Sequence, residues 1–220
     1  SLPNAEGQLL LARRSQVQKE LQSLVPGISL ADVVGGGNGE RLVDRMLASS
    51  HYGERMAQHW LDLAHYADTH GFERDRRRPH AWRYRDYVIA SFNSDKPFNL
   101  FLQEQIAGDV LWPEKREAII ATGFLAAGPW DFVGQVETKS PVLRRAARSL
   151  DLDDMLTQVM TSTMAITINC ARCHDHKLDP ISQEDYYQMR AVFAGTKRGE
   201  RSLPNAEGQL LLRSEERRVG

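Results

Sequence analysis

The sequence predicts an all-α protein, a single irregular multi-helix domain, on three observations. Apolar residues recur three and four apart through most of the chain from Glu40 to Phe193. Alternation of period two, the mark of a half-buried strand, hardly occurs. Breaks rich in Gly, Pro, Asn, Asp or Ser separate the periodic stretches where helices would stop. At 220 residues, 41% hydrophobic and 26% charged, the chain has the composition of a globular protein able to bury one substantial core.

Taken in order, residues 4–24 read as a helix with Asn4 as cap, Glu6 in its first turn, and Leu9, Leu10, Val17, Leu21 and Leu24 as a rough stripe. Pro26 and Gly27 end it, Ile28 to Val34 reads as a short strand or as extended chain, and Gly35–Gly39 as a flexible loop or linker. That glycine run lacks the Lys-Ser/Thr ending that would make it a phosphate loop. A helix over 40–49 places Leu42, Val43, Met46 and Leu47 on one face, and Gly53 marks a break. A second helix, 54–68, lines the core with Met56, Trp60, Leu63, Ala64 and Ala67; a polar loop then runs from Thr69 to Pro79. The third spans 80–94 through Trp82, Tyr84, Val88, Ile89 and Phe92, and the fourth 98–108 through Phe98, Phe101, Leu102, Ile106 and Ala107. Pro113 starts a fifth, 114–126, which Gly128-Pro129 closes. Residues 127–148 read as loop, in part helical. A sixth helix runs from Asp151 to about Asn169, and a last one, 182–194, starts at a Ser182 cap.

The ends read differently. SLPNAEGQLLL occurs identically at 1–11 and 202–212. One perfect copy at each end is not a repeat architecture, which needs several diverged units to share a core. The expected division is a displaced or duplicated segment at 1–39, the helical domain at 40–201, and a second copy plus tail at 202–220. The natural order would run 40–212 and continue into 12–39. Arg213 to Gly220 reads as the translation of a common sequencing adapter and is set aside.

Chemistry concentrates in one place. The only two cysteines stand in Cys170-Ala171-Arg172-Cys173-His174, followed by Asp175-His176-Lys177-Leu178-Asp179-Pro180. CxxCH is the spacing that attaches c-type haem. Each thiol forms one thioether to a vinyl group, the two intervening residues turn both sulfurs to one porphyrin edge, and the histidine is the proximal axial ligand. Cys170, Cys173 and His174 are therefore the candidate haem c residues. Lys177 and Asp179 are candidates to bond propionates or the loop backbone, and His176 is a supporting residue, badly spaced to ligate the same iron. The second axial position would come from upstream helices, among Met155, Met160, Met164, Met189, His59, His65, His70 and His80. Little chain follows the motif, so this is not a small cytochrome c fold. The competing readings are a structural zinc on Cys170, Cys173, His174 and His176, a redox dithiol, and two idle thiols. Zinc is the runner-up, although adjacent Cys173 and His174 seldom share one small ion and no second pair is present.

A second constellation is Asp62, Tyr66, Asp68, Asp75, Arg83, Arg85, Asp86, Asp95, Glu104 and Asp109. It reads either as a carboxylate pair for polysaccharide hydrolysis or as an Arg–Asp network pinning helices and loops. With 28 basic and 29 acidic residues, nothing pulls the chain globally towards nucleic acid, and no apolar run is long enough to insert in a bilayer.

Residues 41–109, from RLVDRMLASSHYGERM to FLQEQIAGD, together with ATGFLAAGPW at 121–130 and CARCHDHKLDPISQEDYY at 170–187, resemble the second planctomycete cytochrome-type domain, a domain of unknown function. The resemblance covers about 41–201. It implies cytochrome character and a multidomain, exported parent, placing the domain in the periplasm or cell envelope. It also implies that the domain's partners are other domains of that parent, including a separate haem-bearing one, with the redox partner and any enzymatic activity left open.

Overall fold

The computed structural model describes residues 13, 15–20, 22–23 and 39–204. The expected cap at Asn4, the extended stretch 28–34, most of the glycine linker and the tail beyond 204 lie outside the described residues. The chain divides into two compact units, Ser1–Met56 and Ala57–Gly220. In the first, residues 15–20 are helical and α1 spans Gly39–Leu47. Val43, Met46 and Leu47, expected on one face of this helix, are all about half exposed.

The second unit contains the core. Helix α2 (His51–Leu63) supplies Ala57 and Trp60, and Ala64 packs just past its end. Gly53 sits inside α2 rather than at a break, because the chain turns earlier, at 48–50. The helix also stops five residues short of expectation, where His65 takes φ 53°. Next come α3 (Trp82–Asn93) and α4 (Phe98–Leu111), the latter kinked at Ala107. The expected fifth helix is two short ones, α5 (Arg116–Ala121) and α6 (Gly123–Ala126). Helix α5 crosses so close to α4 that a Cβ on Gly108 would lie 2.2 Å from the Ala118 carbonyl oxygen.

Aromatic rings dominate this core. Trp60 stacks on Phe124 at 5.8 Å and meets Phe101 edge-on at 4.9 Å, and Tyr87 stacks on Phe101 at 5.9 Å. Their polar ends are satisfied, as burial requires. Trp60 Nε1 donates to Gln105 Oε1 at 2.8 Å, Tyr84 OH donates to the same oxygen at 2.7 Å, and Gln105 Nε2 donates to the Phe101 carbonyl at 3.1 Å.

The long helix α7, Pro141–Met164, begins ten residues before the expected Asp151. Ser140 caps it, accepting from Leu143 N–H, and Pro141 takes the first turn. A π-helical turn at Val133–Glu137 packs against it. Ala165 ends α7 in the left-handed region at φ 56°, turning the chain towards Ile168. A 3₁₀ turn, Ile168–Arg172, and α8, Gln183–Val192, complete the unit. Among the described residues there is no strand, only an isolated bridge between Thr69 and Arg77. The fold is all-α.

Candidate functional site

The CxxCH motif is built on the 3₁₀ turn, and the turn's period decides which residues face out. With three residues per turn, positions i and i+3 eclipse. Ile168 and Ala171 form the inward pair, each fully buried in the core. Cys170 and Cys173 form the pair two positions on; both are free thiols and both are exposed. Cys173 N–H donates to the Cys170 carbonyl at 3.5 Å, which holds the two cysteines one turn apart.

The two histidines that follow are held in opposite tautomers. His174 is exposed, and its Nδ1 lies 2.7 Å from the Asp175 carbonyl oxygen. A carbonyl only accepts, so Nδ1 is the donor, and in the neutral ring the lone pair then sits on Nε2, the tautomer in which Nε2 can bind a metal. His176 is the reverse. Its side chain is only 4% exposed, and Nδ1 accepts from Asp179 N–H at 2.8 Å and Leu178 N–H at 3.3 Å. Nε2 must then carry the proton, which it donates to Thr167 Oγ1 at 3.2 Å. His176 N–H also donates to the Ile181 carbonyl at 2.8 Å, closing the loop upon itself. Thus His176 is a strut, Asp179 sits beside it with Oδ2 3.3 Å from its Nδ1, and Lys177 is exposed.

The rest of the motif is tied down. Asp175 Oδ1 accepts from Gln183 N–H at 2.8 Å, satisfying an orphan donor at the start of α8. Ser182 and Asp185 form a capping box there. The Arg172 carbonyl accepts from Gln183 Nε2 at 3.0 Å and Tyr187 OH at 3.2 Å. The Arg172 guanidinium pairs with Asp153 on α7 at 2.8 Å, and its pKa is raised first by that hydrogen bond and further by one to Cys173. Asp153 also accepts from Tyr186 OH. Burial and this carboxylate push the Tyr186 pKa up to about 12. The strut role of His176, the Asp175 cap and the Arg172–Asp153–Tyr186 link were not legible beforehand. The local signals were present in Asp175 and Ser182-x-x-Asp185, but the partners lie on other elements.

The axial candidates separate by environment. Met155 and Met160 are buried in the core, Met189 is partly buried against it, and Met164 is 60% exposed at the end of α7, just ahead of the 3₁₀ turn. His59, His65 and His80 are exposed, and His70 accepts from Arg78 Nε at 2.9 Å while packing on Trp130. Among the described residues, no three His, Cys, Asp or Glu side chains gather as a metal-ion site. Both ring nitrogens of His176 are engaged in hydrogen bonds.

The acidic constellation resolves into separate partnerships. Tyr66 OH donates to Asp68 at 2.7 Å, Asp75 accepts from Gly71 N–H at 2.9 Å, and Arg85 pairs with Asp86 at 2.8 Å. Glu104 is buried between Lys96 at 2.5 Å and Tyr87 OH at 2.7 Å, and Asp109 pairs with Arg201. Arg83 lies over the Trp82 ring, and Asp62 and Asp95 are exposed.

One family model matches the chain over residues 18–198; its description is PSCyt2, a protein of unknown function (DUF1549). No curated protein and no solved structure matches.

Proposed function

The chain belongs to the PSCyt2 family of unknown function, and from that premise we propose that it is an exported domain of a larger protein that carries covalently bound haem c and passes electrons. The carrying observation is the exposure of Cys170, Cys173 and His174 on and just after a turn that Ile168 and Ala171 seat in the core. Cys170 and Cys173 would hold the group through thioethers, and His174 would supply an axial nitrogen through Nε2. When bound, the group supplies one-electron chemistry.

The protein's contribution is to hold these three side chains ready. Ile168 and Ala171 key the turn into the core, the Arg172–Asp153 pair fixes it to α7, and the Asp175 carbonyl sets the His174 tautomer. Leu178, 87% exposed, and Lys177 stand on the loop beside the motif, offering an apolar and a cationic contact. The resemblance of CARCHDHKLDP to the closing signature of the second planctomycete cytochrome-type domain supports the same reading. Among the described residues no helix is long and apolar enough to cross a membrane.

The test is expression with a haem-attachment system, followed by a pyridine haemochrome spectrum and haem staining on a denaturing gel. Wild type should retain haem and Cys173→Ala should lose stable attachment. His174→Ala should keep a thioether-linked group with altered axial ligation. Stoichiometric zinc without iron, or no haem on the gel, overturns the proposal.

A further inference from the structure

The sequence offers eight candidates for the coordination position opposite His174, and the surroundings of the motif turn separate them. The turn packs against α7 and α8. The four histidines, His59, His65, His70 and His80, stand on α2 and on the segment between α2 and α3. Helix α7 carries Met155, Met160 and Met164, and α8 carries Met189. Met155 and Met160 are buried in the core and Met189 is partly buried against it, so these three serve packing. Met164 is the exposed one.

A tight corner places it. Met164 stands one turn beyond Met160, on the same side of α7, at the point where the core ends. Ala165 then turns the chain in the left-handed region. Its N–H donates to the Thr161 carbonyl at 3.1 Å, and Ile166 N–H donates to the Met160 carbonyl at 3.3 Å. Thr161 Oγ1 donates to the Ile166 carbonyl at 3.3 Å, and Cys170 N–H to that of Thr167 at 3.2 Å. The chain between Met164 and Cys170 is therefore folded back at the end of α7 rather than extended away from it.

Met164 is also not alone. Leu178, on the loop after the motif, donates its N–H to His176 Nδ1, and Tyr187 on α8 donates its OH to the Arg172 carbonyl. Both side chains are exposed. Three segments that adjoin the motif thus each leave a large apolar side chain in solvent, beside thiols and an imidazole that are exposed too. Scattered singly, such residues need no explanation; gathered around one motif, they mark a contact surface.

Resting on the haem reading above, we propose that Met164 supplies the second axial donor through Sδ, opposite His174 Nε2, while Leu178 and Tyr187 contact the apolar edge of the group. A thioether has no proton to lose, and its side chain turns about three bonds, so it can adjust to an iron without moving the backbone. A sulfur in that position holds the reduction potential above that of a site with two histidines.

The test is Met164→Leu in the full chain, expressed with a haem-attachment system, with Met189→Leu beside it. Both replacements nearly conserve volume, so the fold should survive. The ferric wild type should show the methionine-sulfur-to-iron charge-transfer band in the near infrared. Met164→Leu should lose that band and fall in reduction potential, yet keep thioether-linked haem on a denaturing gel. Met189→Leu should keep both band and potential. Haem on the gel without the band in wild type, an unchanged spectrum in Met164→Leu, or loss of the band in Met189→Leu overturns the assignment of Met164 and leaves the attachment standing. No haem on the gel overturns both.

Discussion

His176→Ala separates the two histidines of the motif more sharply than any other single change. The substitution leaves Asp179 N–H without its 2.8 Å acceptor, which costs about 1 kcal/mol for a half-buried amide. It also removes a ring whose side chain is 4% exposed; the lost contacts and the cavity add about 1–2 kcal/mol. The 3.3 Å bond from Leu178 N–H and the bond to exposed Thr167 contribute little, because water replaces them. The sum is a loss of about 2–3 kcal/mol in urea unfolding, together with a lower yield of attached haem as residues 174–181 loosen. His176→Asn should recover about 1 kcal/mol, since its amide oxygen can take the place of Nδ1. His174→Ala, at an exposed position, should cost under about 0.5 kcal/mol. If His176→Ala is as stable as wild type, or His174→Ala is the more damaging of the two, the assignment of strut and ligand is wrong.

Two further outcomes follow from the packing and the charges. The folded pKa of His70 is depressed below the ordinary 6.5, so between the two values the unfolded chain binds the extra proton. Stability is therefore full above about pH 6.5 and falls as pH drops through that value. His70→Asn, which still offers Arg78 an acceptor, should flatten that part of the pH–stability curve, and an unchanged curve refutes the attribution. Gly108→Ala would drive a methyl to within 2.2 Å of the Ala118 carbonyl oxygen. Forcing α4 and α5 apart should cost at least about 2 kcal/mol in chemical denaturation, and a neutral effect would show that the two helices do not cross so closely.

Where sequence and structure differ, the reasons are specific. The early start of α7 was signalled by Ser140-Pro141, a cap followed by a proline in the first turn. The arginines of the next turns obscured it by weakening the apolar period. The fifth helix divides because α5 and α6 are separate short segments, and a run of apolar residues does not show where it must turn to pack. The carboxylates from Asp62 to Asp109 looked like one cluster in the sequence. Folding deals them to different partners, because helices turn residues that are near in sequence towards different neighbours.

The sequence by itself determined that the protein is helical, since the spacing of apolar residues is a local property that each helix expresses on its own. It also gave the candidate site, because CxxCH is a local pattern of two thiols and an imidazole that is legible whatever surrounds it. Only the tertiary structure decided which histidine is bonded into the loop and which is exposed. His174 and His176 are two residues apart and chemically identical. What distinguishes them is that one finds a carbonyl at Nδ1 and the other finds two backbone N–H groups. Only the tertiary structure, too, brought Arg78 and Arg198 to the same carbonyl of Gly128. Contacts between residues so far apart leave no trace in the order of the chain.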